Sequence, residues 1–260
     1  MLPALAARNA IVDFTVSSLE ILSARLTPGA RITVMTGAGV SAASGVPTFR
    51  GPDGLWKQFR PETLATPEAF ARDPKLVWEW YDWRRQVIAA CEPNVAHRVL
   101  AAWSRTFPAF QLITQNVDGL HERAGTEGVL RLHGSIWDVS CWKKCSGSPP
   151  RWRDDTAPFA QIPPTCPHCN GLIRPGVVWF GEVLDPDVLD RAEAAADCDV
   201  FLTIGTSSVV DPAASFVEQA RRNGAFTVEI NPEATPASSL ADLVLRGPAE
   251  VVLPEIAEGV

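Results

Sequence analysis

RITVMTGAGVSAASGVPTFRGPDGLW, residues Arg31–Trp56, is the stretch on which the fold turns. Its apolar, β-branched opening, Ile32-Thr33-Val34, reads as a buried strand. The run then breaks into Gly37-Ala38-Gly39-Val40-Ser41-Ala42, a fit to the dinucleotide fingerprint G-x-G-x-x-G/A. In that pattern Gly37 permits a tight turn, Gly39 lets backbone N–H groups approach a pyrophosphate, and the small Ala42 lets a helix start pack against the strand. A dehydrogenase would continue with a full helix and reach an acidic residue about 20 positions on. Here three glycines and two prolines between Ser44 and Gly54 cannot continue a helix. The expectation is a long loop over the nicotinamide end of a dinucleotide, suited to chemistry other than simple hydride transfer.

Composition narrows the class. A chain of 260 residues, 46 % hydrophobic and 20 % charged, can form one large domain or one with a smaller appended module. A net charge of −7 argues against sequence-independent nucleic-acid binding, which needs a basic face. No apolar run approaches the roughly 18 residues of a membrane span, so no membrane partner is expected. The N-terminus shows no secretory signal pattern. A cytoplasmic location follows as an expectation, with the six cysteines reduced.

Residues 1–30 read as a leading helix, with Val16, Leu19, Leu22 and Leu26 at helical spacing and Pro28-Gly29 at its end. From Pro61 to Thr106 the pattern is helical and rich in tryptophan. Leu76, Trp80, Trp83 and Val87 predict the core face of one helix. Tyr81 and Arg84 sit three apart on its flank, where local sequence alone favours an arginine snorkelling beside a half-buried ring. Phe110–Thr114 reads as a strand delivering Gln115-Asn116-Val117-Asp118, which could face a ligand or simply form an Asx-type turn. His121 reads as structural. Val129–Leu132 is a short strand ending in His133-Gly134-Ser135, and a histidine at a strand end suits general-base work.

Cys141-x3-Cys145 and Cys166-x2-Cys169, with 20 residues between the pairs, have the layout of a closed structural zinc site made of four cysteines. Cys91 and Cys198 read as buried thiols and His168 as exposed. A second βαβ unit follows: strand Val200–Ile204, the turn Gly205-Thr206-Ser207, helix Pro212–Arg222 and strand Phe226–Ile230. Asn231-Pro232-Glu233 at its end carries polar groups suited to a ribose, and a last strand, Leu243–Leu245, precedes a covering helix over 250–260.

GAGVSAASGVPTFRG, TQNVDGLH, LHGS, WFGE and GTS, in this order between Arg31 and Ala249, resemble the sirtuin family of NAD-dependent protein-lysine deacylases. The resemblance implies an α/β fold: a Rossmann-like, doubly wound parallel sheet with a smaller helical plus zinc-ribbon module. The NAD-binding domain would comprise 1–51, 107–136 and 175–260, and the small domain 52–106 (helical) and 137–174 (zinc ribbon). It implies NAD contacts at Gly37, Ala38, Gly39, Ser41, Ala42, Thr48, Phe49, Arg50 and Trp56. Others fall at Gln115, Asn116, Asp118, Gly205, Thr206, Ser207, Asn231, Pro232, Glu233 and Ala249. His133 becomes the base that takes a proton from the ribose hydroxyls. Val178-Trp179-Phe180 becomes an edge for the substrate peptide, which pairs as a strand.

Tyr81-x-x-Arg84, with the small Ala65 ahead of it, resembles the class III members, which remove succinyl, malonyl or glutaryl groups. A guanidinium and a phenol can together bind a carboxylate. In the implied reaction the acyl oxygen displaces nicotinamide from the ribose, and the products are free lysine and O-acyl-ADP-ribose. The expected partners are acyl-lysine proteins or peptides, met by a monomer. Two departures stand out: the first cysteine pair is one residue wider than is common in the family, and Ala43 stands where many relatives carry glutamate. A plain deacetylase and a protein ADP-ribosyltransferase are the alternatives on the same fold; a dehydrogenase or a zinc-ribbon binding module explains fewer of the motifs.

Overall fold

The computed structural model describes residues 15–49, 54–55 and 60–259. Arg50, Trp56 and the first half of the expected leading helix lie outside the described residues; within them α1 spans Val16–Ser23.

Five strands carry the nucleotide-type half of the fold: β1 (Ile32–Thr36), β2 (Phe110–Thr114), β7 (Val200–Ile204), β8 (Phe226–Ile230) and β9 (Leu243–Leu245). With the two-residue β3 (Leu130–Arg131) they form a six-stranded sheet in the order β3-β2-β1-β7-β8-β9, and every pairing is parallel. The chain winds outward from β1 to β3, returns to pair β7 with β1, and winds out the other way. The order therefore reverses between β1 and β7, where ligand crevices of open α/β sheets lie.

Both faces of this sheet are covered, so β1 and β7 are buried along their whole length. Side chains alternate between two cores as the pleat requires. Ile32 and Val34 join Leu202 and Ile204 against α1, α5 (Val95–Thr106) and α9 (Ala249–Ala257), while Met35 and Phe201 face the opposite core with α7 (Pro186–Ala195) and α8 (Phe216–Arg222). The helix expected over Pro212–Arg222 divides into a 3-10 turn, Ala213–Ser215, and α8.

A three-stranded antiparallel sheet, β5-β4-β6, forms a second layer from β4 (Gly134–Cys141), β5 (Trp152–Arg153) and β6 (Ile173–Val177). Helices α2 (Pro61–Leu64), α3 (Pro67–Arg72) and α4 (Pro74–Ala89) share a separate core with it. Two buried donors pin α4 to this sheet. Trp78 Nε1 donates to the Ile173 carbonyl at 2.8 Å, and Arg85 Nε to the Ile136 carbonyl at 2.8 Å. Arg85 Nη1 also pairs with the half-buried Asp154 at 3.1 Å, which supplies a counter-charge to a fully buried guanidinium.

The expected core face of α4 is rotated. Leu76 and Trp83 are 44 % and 39 % exposed, and the buried stripe runs Val77, Tyr81, Arg84, Ile88, the same spacing one residue on. An apolar-stripe reading scores arginine as solvent-facing. In this helix Arg84 and Arg85 lie inside, their guanidinium groups packed against aromatic rings. No helix among the described residues is long and apolar enough to cross a membrane.

Candidate active site

Every loop that leaves the C-terminal end of a central strand contributes to one cavity of about 730 Å³. Gly37–Gly39 and Ala42 follow β1, Gln115–Val117 follow β2, and His133 follows β3. Gly205–Ser207 follow β7 and Asn231–Glu233 follow β8, with Ala249 from the start of α9. The opposite wall comes from the second layer: Ala65, Trp80, Tyr81 and Arg84 from the helices, and Val177–Glu182 beyond β6. Thr48 and Phe49 close one side.

The glycine loop is a 3-10 helix, Ala38–Ser44, stopped by Gly45 at φ 93°. Its glycines answer a different need from the one the fingerprint suggested. A Cβ on Gly37 would lie 2.7 Å from the Thr206 Cα, and one on Gly39 would lie 2.7 Å from the Gly205 carbonyl oxygen. Gly37 N–H donates to the Ile204 carbonyl and Gly39 N–H to that of Gly205, at 3.0 and 2.8 Å. These two amides are therefore not free for a pyrophosphate; they dock the β1 loop onto the β7 loop. Ala43 is on the exposed side of the 3-10 helix.

Two residues expected at the cofactor lie behind the wall instead: Ser41 and Asp118 are buried and do not line the cavity. Ser41 Oγ donates to Asp118 Oδ2 at 2.8 Å. Asn116 Nδ2 donates to the Gly37 carbonyl at 3.0 Å and to Ser41 Oγ at 3.3 Å, so its carboxamide is locked with both amide hydrogens in use. Burial raises the Asp118 pKa, while the Leu120 amide and Ser41 oppose the shift. Behind Ser41 stands His97, a residue the motifs did not single out. Its Nδ1 accepts from the Asn94 amide, which leaves Nε2–H to donate to Ser41 Oγ at 3.3 Å. Burial holds its pKa down to about 4, so the ring is neutral. His121 is buried against Thr36 Oγ1 at 2.9 Å and is structural, as its place in the helical turn suggested.

His133 Nδ1 lies 3.0 Å from the Gln115 carbonyl oxygen. A carbonyl can only accept, so Nδ1 carries the proton and Nε2 keeps its lone pair. Burial lowers the His133 pKa from its usual 6.5, and the carbonyl bond partly offsets this. The result is a neutral imidazole with a basic nitrogen at the crevice where the sheet order reverses.

On the facing wall, Arg84 is 7 % exposed and Tyr81 2 %. The Arg84 guanidinium carbon sits 4.9 Å from the Phe49 ring centroid and 4.8 Å from that of Trp80. Among the described residues no carboxylate pairs with it. Tyr81 Oη accepts from Trp179 Nε1 at 3.0 Å and has no acceptor for its own proton among the described residues. Burial raises the Tyr81 pKa and lowers that of Arg84.

Val178–Phe180 is not a continuation of β6. Val178 N–H donates to the His133 carbonyl, Trp179 N–H to Glu182 Oε2 and Phe180 N–H to the Ala65 carbonyl. All three N–H groups of this stretch are thus in use within the chain, and the Trp179 carbonyl accepts from the Glu182 N–H at 3.0 Å. Glu182, another residue the sequence reading passed over, is held by Arg174 at 2.8 Å.

The four paired cysteines converge. Their sulfurs lie within 4.8 Å of one another, with Cys141–Cys169 at 3.7 Å and Cys145–Cys166 at 3.9 Å. A tetrahedron with zinc–sulfur bonds of about 2.3 Å has edges of about 3.8 Å, so the set fits zinc. The extra residue of the first pair is taken up by Lys144 in the left-handed region, φ 49°. His168 is exposed and outside this cluster, while Cys91 and Cys198 are buried elsewhere.

A doubly wound parallel sheet whose strand-end loops line one crevice, faced by a layer that carries four clustered cysteines, is a nucleotide-binding architecture of Rossmann type. Residues 37–212 match the Sir2 family model, and the chain belongs to that family. A relative from Aquifex aeolicus, named NAD-dependent protein deacylase, is 53 % identical over 226 residues, 86 % of this chain and 93 % of its own length. Another of that kind, NAD-dependent protein deacylase 1 from Archaeoglobus fulgidus, is 50 % identical over 226 residues, 86 % of this chain and 91 % of its own. Among solved structures, a Sir2 homologue with ADP-ribose superimposes with a TM-score of 0.86 at 44 % identity, covering 95 % of this chain and 96 % of that one. A Sir2 homologue in complex with NAD gives 0.83 at 46 %, covering 92 % of each. A Sir2 protein bound to a myristoylated histone peptide gives 0.75 at 30 %, covering 94 % and 97 %.

Proposed function

We propose that this chain is an NAD-dependent protein-lysine deacylase whose preferred acyl groups end in a carboxylate: succinyl, malonyl and glutaryl. The observation that supports the preference is a pair of buried donors in the cavity wall with Ala65, Arg84 and Tyr81, for which no described residue supplies an acceptor. A buried guanidinium is costly unless paired. An acyl carboxylate supplies the missing acceptor by charge-assisted hydrogen bonds, and the small Ala65 leaves room for the longer chain. A plain deacetylase has no use for either donor.

When bound, NAD supplies the ribosyl carbon that the acyl oxygen attacks. The strand-end loops, with Gln115, Asn116, Thr206, Ser207, Asn231, Pro232, Glu233 and Ala249, are read as its cradle. His133 Nε2 would accept a proton from a ribose hydroxyl, and Phe49, which lines the same cavity, would keep water out of it. Zinc on Cys141, Cys145, Cys166 and Cys169 is structural, since four thiolates leave no open position. The cleft is read as the boundary between the two discontinuous domains. The location that goes with this reading is the cytoplasm, where thiols stay reduced and available to a metal.

The test is one set of initial rates on acetyl-, malonyl-, succinyl- and glutaryl-lysine peptides, with and without NAD, read as nicotinamide release. The acidic acyl chains should give the higher kcat/KM. Release from acetyl-lysine alone would defeat the preference, and release from none would defeat the enzyme.

A further inference from the structure

We propose that Trp179 is a positioning residue for acyl selection: its indole N–H fixes which way the Tyr81 hydroxyl proton points, and so sets the discrimination between acyl chains with and without a terminal carboxylate. This rests on the acidic-acyl reading above and goes a step behind it, to what makes the phenol a donor there.

The argument begins with the two groups. An indole N–H can only donate, whereas a phenol can donate or accept. At 3.0 Å, Trp179 Nε1 therefore leaves Tyr81 Oη no choice but to accept. A phenolic O–H lies in the plane of its ring because the oxygen conjugates with it, so the proton has two positions. An in-plane lone pair that accepts the indole N–H takes the direction of one, and the proton then takes the other. Tyr81 lines the cavity beside Arg84, and no described residue accepts that proton.

Such a constraint works only if the indole cannot turn away. Trp179 is held at three points. Its backbone N–H donates to Glu182 Oε2 at 2.8 Å, and the Arg174 guanidinium carbon lies 3.6 Å from its ring centroid. Arg174 is itself fixed, donating through Nη2 to Glu182 Oε2 at 2.8 Å and to the Val177 carbonyl at 3.0 Å. The Phe70 ring packs at 5.3 Å from the indole. The bond to Tyr81 adds a fourth. With Trp179 only 2 % exposed, water does not compete for the phenol's lone pair.

The consequence is a two-donor site oriented before the substrate arrives, from a guanidinium and an aimed O–H. A carboxylate satisfies both. An acetyl methyl satisfies neither and leaves two desolvated donors unmet, which is how polar pockets reject analogues that lack the partner. Without the indole N–H the phenol regains its second orientation, and the pocket loses preference for the acid without losing its shape.

The experiment is a double-mutant cycle on the zinc-loaded full chain. Wild type, Trp179→Phe, Tyr81→Phe and the double variant are compared on succinyl- and acetyl-lysine peptides at saturating NAD. Trp179→Phe keeps the packed ring and deletes the donor. It should raise KM for the succinyl peptide about fivefold more than for the acetyl peptide, the worth of one hydrogen bond. In the Tyr81→Phe background it should move the ratio no further, because there is no hydroxyl left to aim. Arg174→Gln, which unstacks the indole and leaves the Tyr81 hydroxyl in place, should shift the ratio the same way by less, and keeps the test alive should Trp179→Phe not fold. Equal loss on both peptides, or a Trp179→Phe effect undiminished by Tyr81→Phe, would overturn the assignment. A wild type that prefers acetyl, with Arg84→Met shifting neither rate, would instead overturn the acidic-acyl reading and this inference with it.

Discussion

The two walls of the cleft are built on opposite principles. The sheet wall is closed on itself: Gly37 and Gly39 end on the carbonyls of Ile204 and Gly205, Asn116 ends on Gly37 and Ser41, and Ser41 on Asp118. The facing wall is left open, with two buried donors, Arg84 and the Tyr81 hydroxyl, and no described acceptor for either. A saturated wall holds a shape, while an unsaturated wall selects a ligand by what the wall lacks. The difference assigns the tasks. Under the proposed function, chemistry common to every substrate belongs to the sheet side, and choice among substrates to the facing side.

The sharpest way to break that division is His133→Ala. The ring stands on the sheet side, fixed through Nδ1 to Gln115, and no charged group shifts its pKa. A general base contributes about 10²–10⁴-fold. The variant should lose kcat by that factor on every acyl peptide alike, while NAD binding, followed by calorimetry, stays within twofold of wild type. A loss confined to one acyl class would show that the two walls do not divide the work.

Arg84→Met comes next in size and acts on the other wall. Its target is a charge-assisted pair, and hydrogen bonds to charged groups are worth about 1.5–3 kcal/mol. The succinyl-to-acetyl ratio of kcat/KM should therefore fall roughly 10- to 100-fold. A uniform loss on both peptides would mean that Arg84 only holds Phe49 and Trp80 in place, since it packs on both rings.

How much of this was legible before the structure differs between the same two walls. The sheet wall is written in local signals: a strand, then glycines or a short polar run at its C-terminal end, repeated at Gly37, Gln115, Gly205 and Asn231. Topology turns those into one crevice. What local signals could not give is why the glycines are there. The contact of Gly39 with Gly205 joins residues far apart in the chain, so a fingerprint reading assigned its N–H to a phosphate. The acyl wall was harder. Tyr81 and Arg84 were legible as a pair, but an amphipathic-stripe argument set the core face of α4 one residue off, because it counts arginine as polar. Only the packing of Arg84 and Arg85 on aromatic rings reveals that the helix buries both its arginines. Trp179 was named as part of a peptide-binding edge, and its bond to Tyr81 spans 98 residues. No periodicity reports such a contact.

The smallest effect, and the one that tests both walls together, is the pH dependence of the acyl ratio. In the proposed reaction His133 acts as a neutral base, and burial sets its pKa below the usual 6.5. Activity is therefore present above the folded-state value and lost as pH falls through it. The acidic limb of kcat/KM should lie below pH 6.5 with either peptide. A succinyl carboxylate, with a reference pKa near that of glutamate at about 4.3, adds a second loss lower still, because once protonated it no longer offers Arg84 a charge. The succinyl-to-acetyl ratio should thus stay level from pH 8 to about 5 and fall only below that. At the alkaline end it should persist, since burial raises the Tyr81 pKa above 10.0 and keeps the phenol a donor. In Arg84→Met the fall in the ratio should disappear while the His133 limb stays where it was. A limb that moves with Arg84→Met would couple two groups on opposite walls, and the division of labour would fail at its most sensitive point.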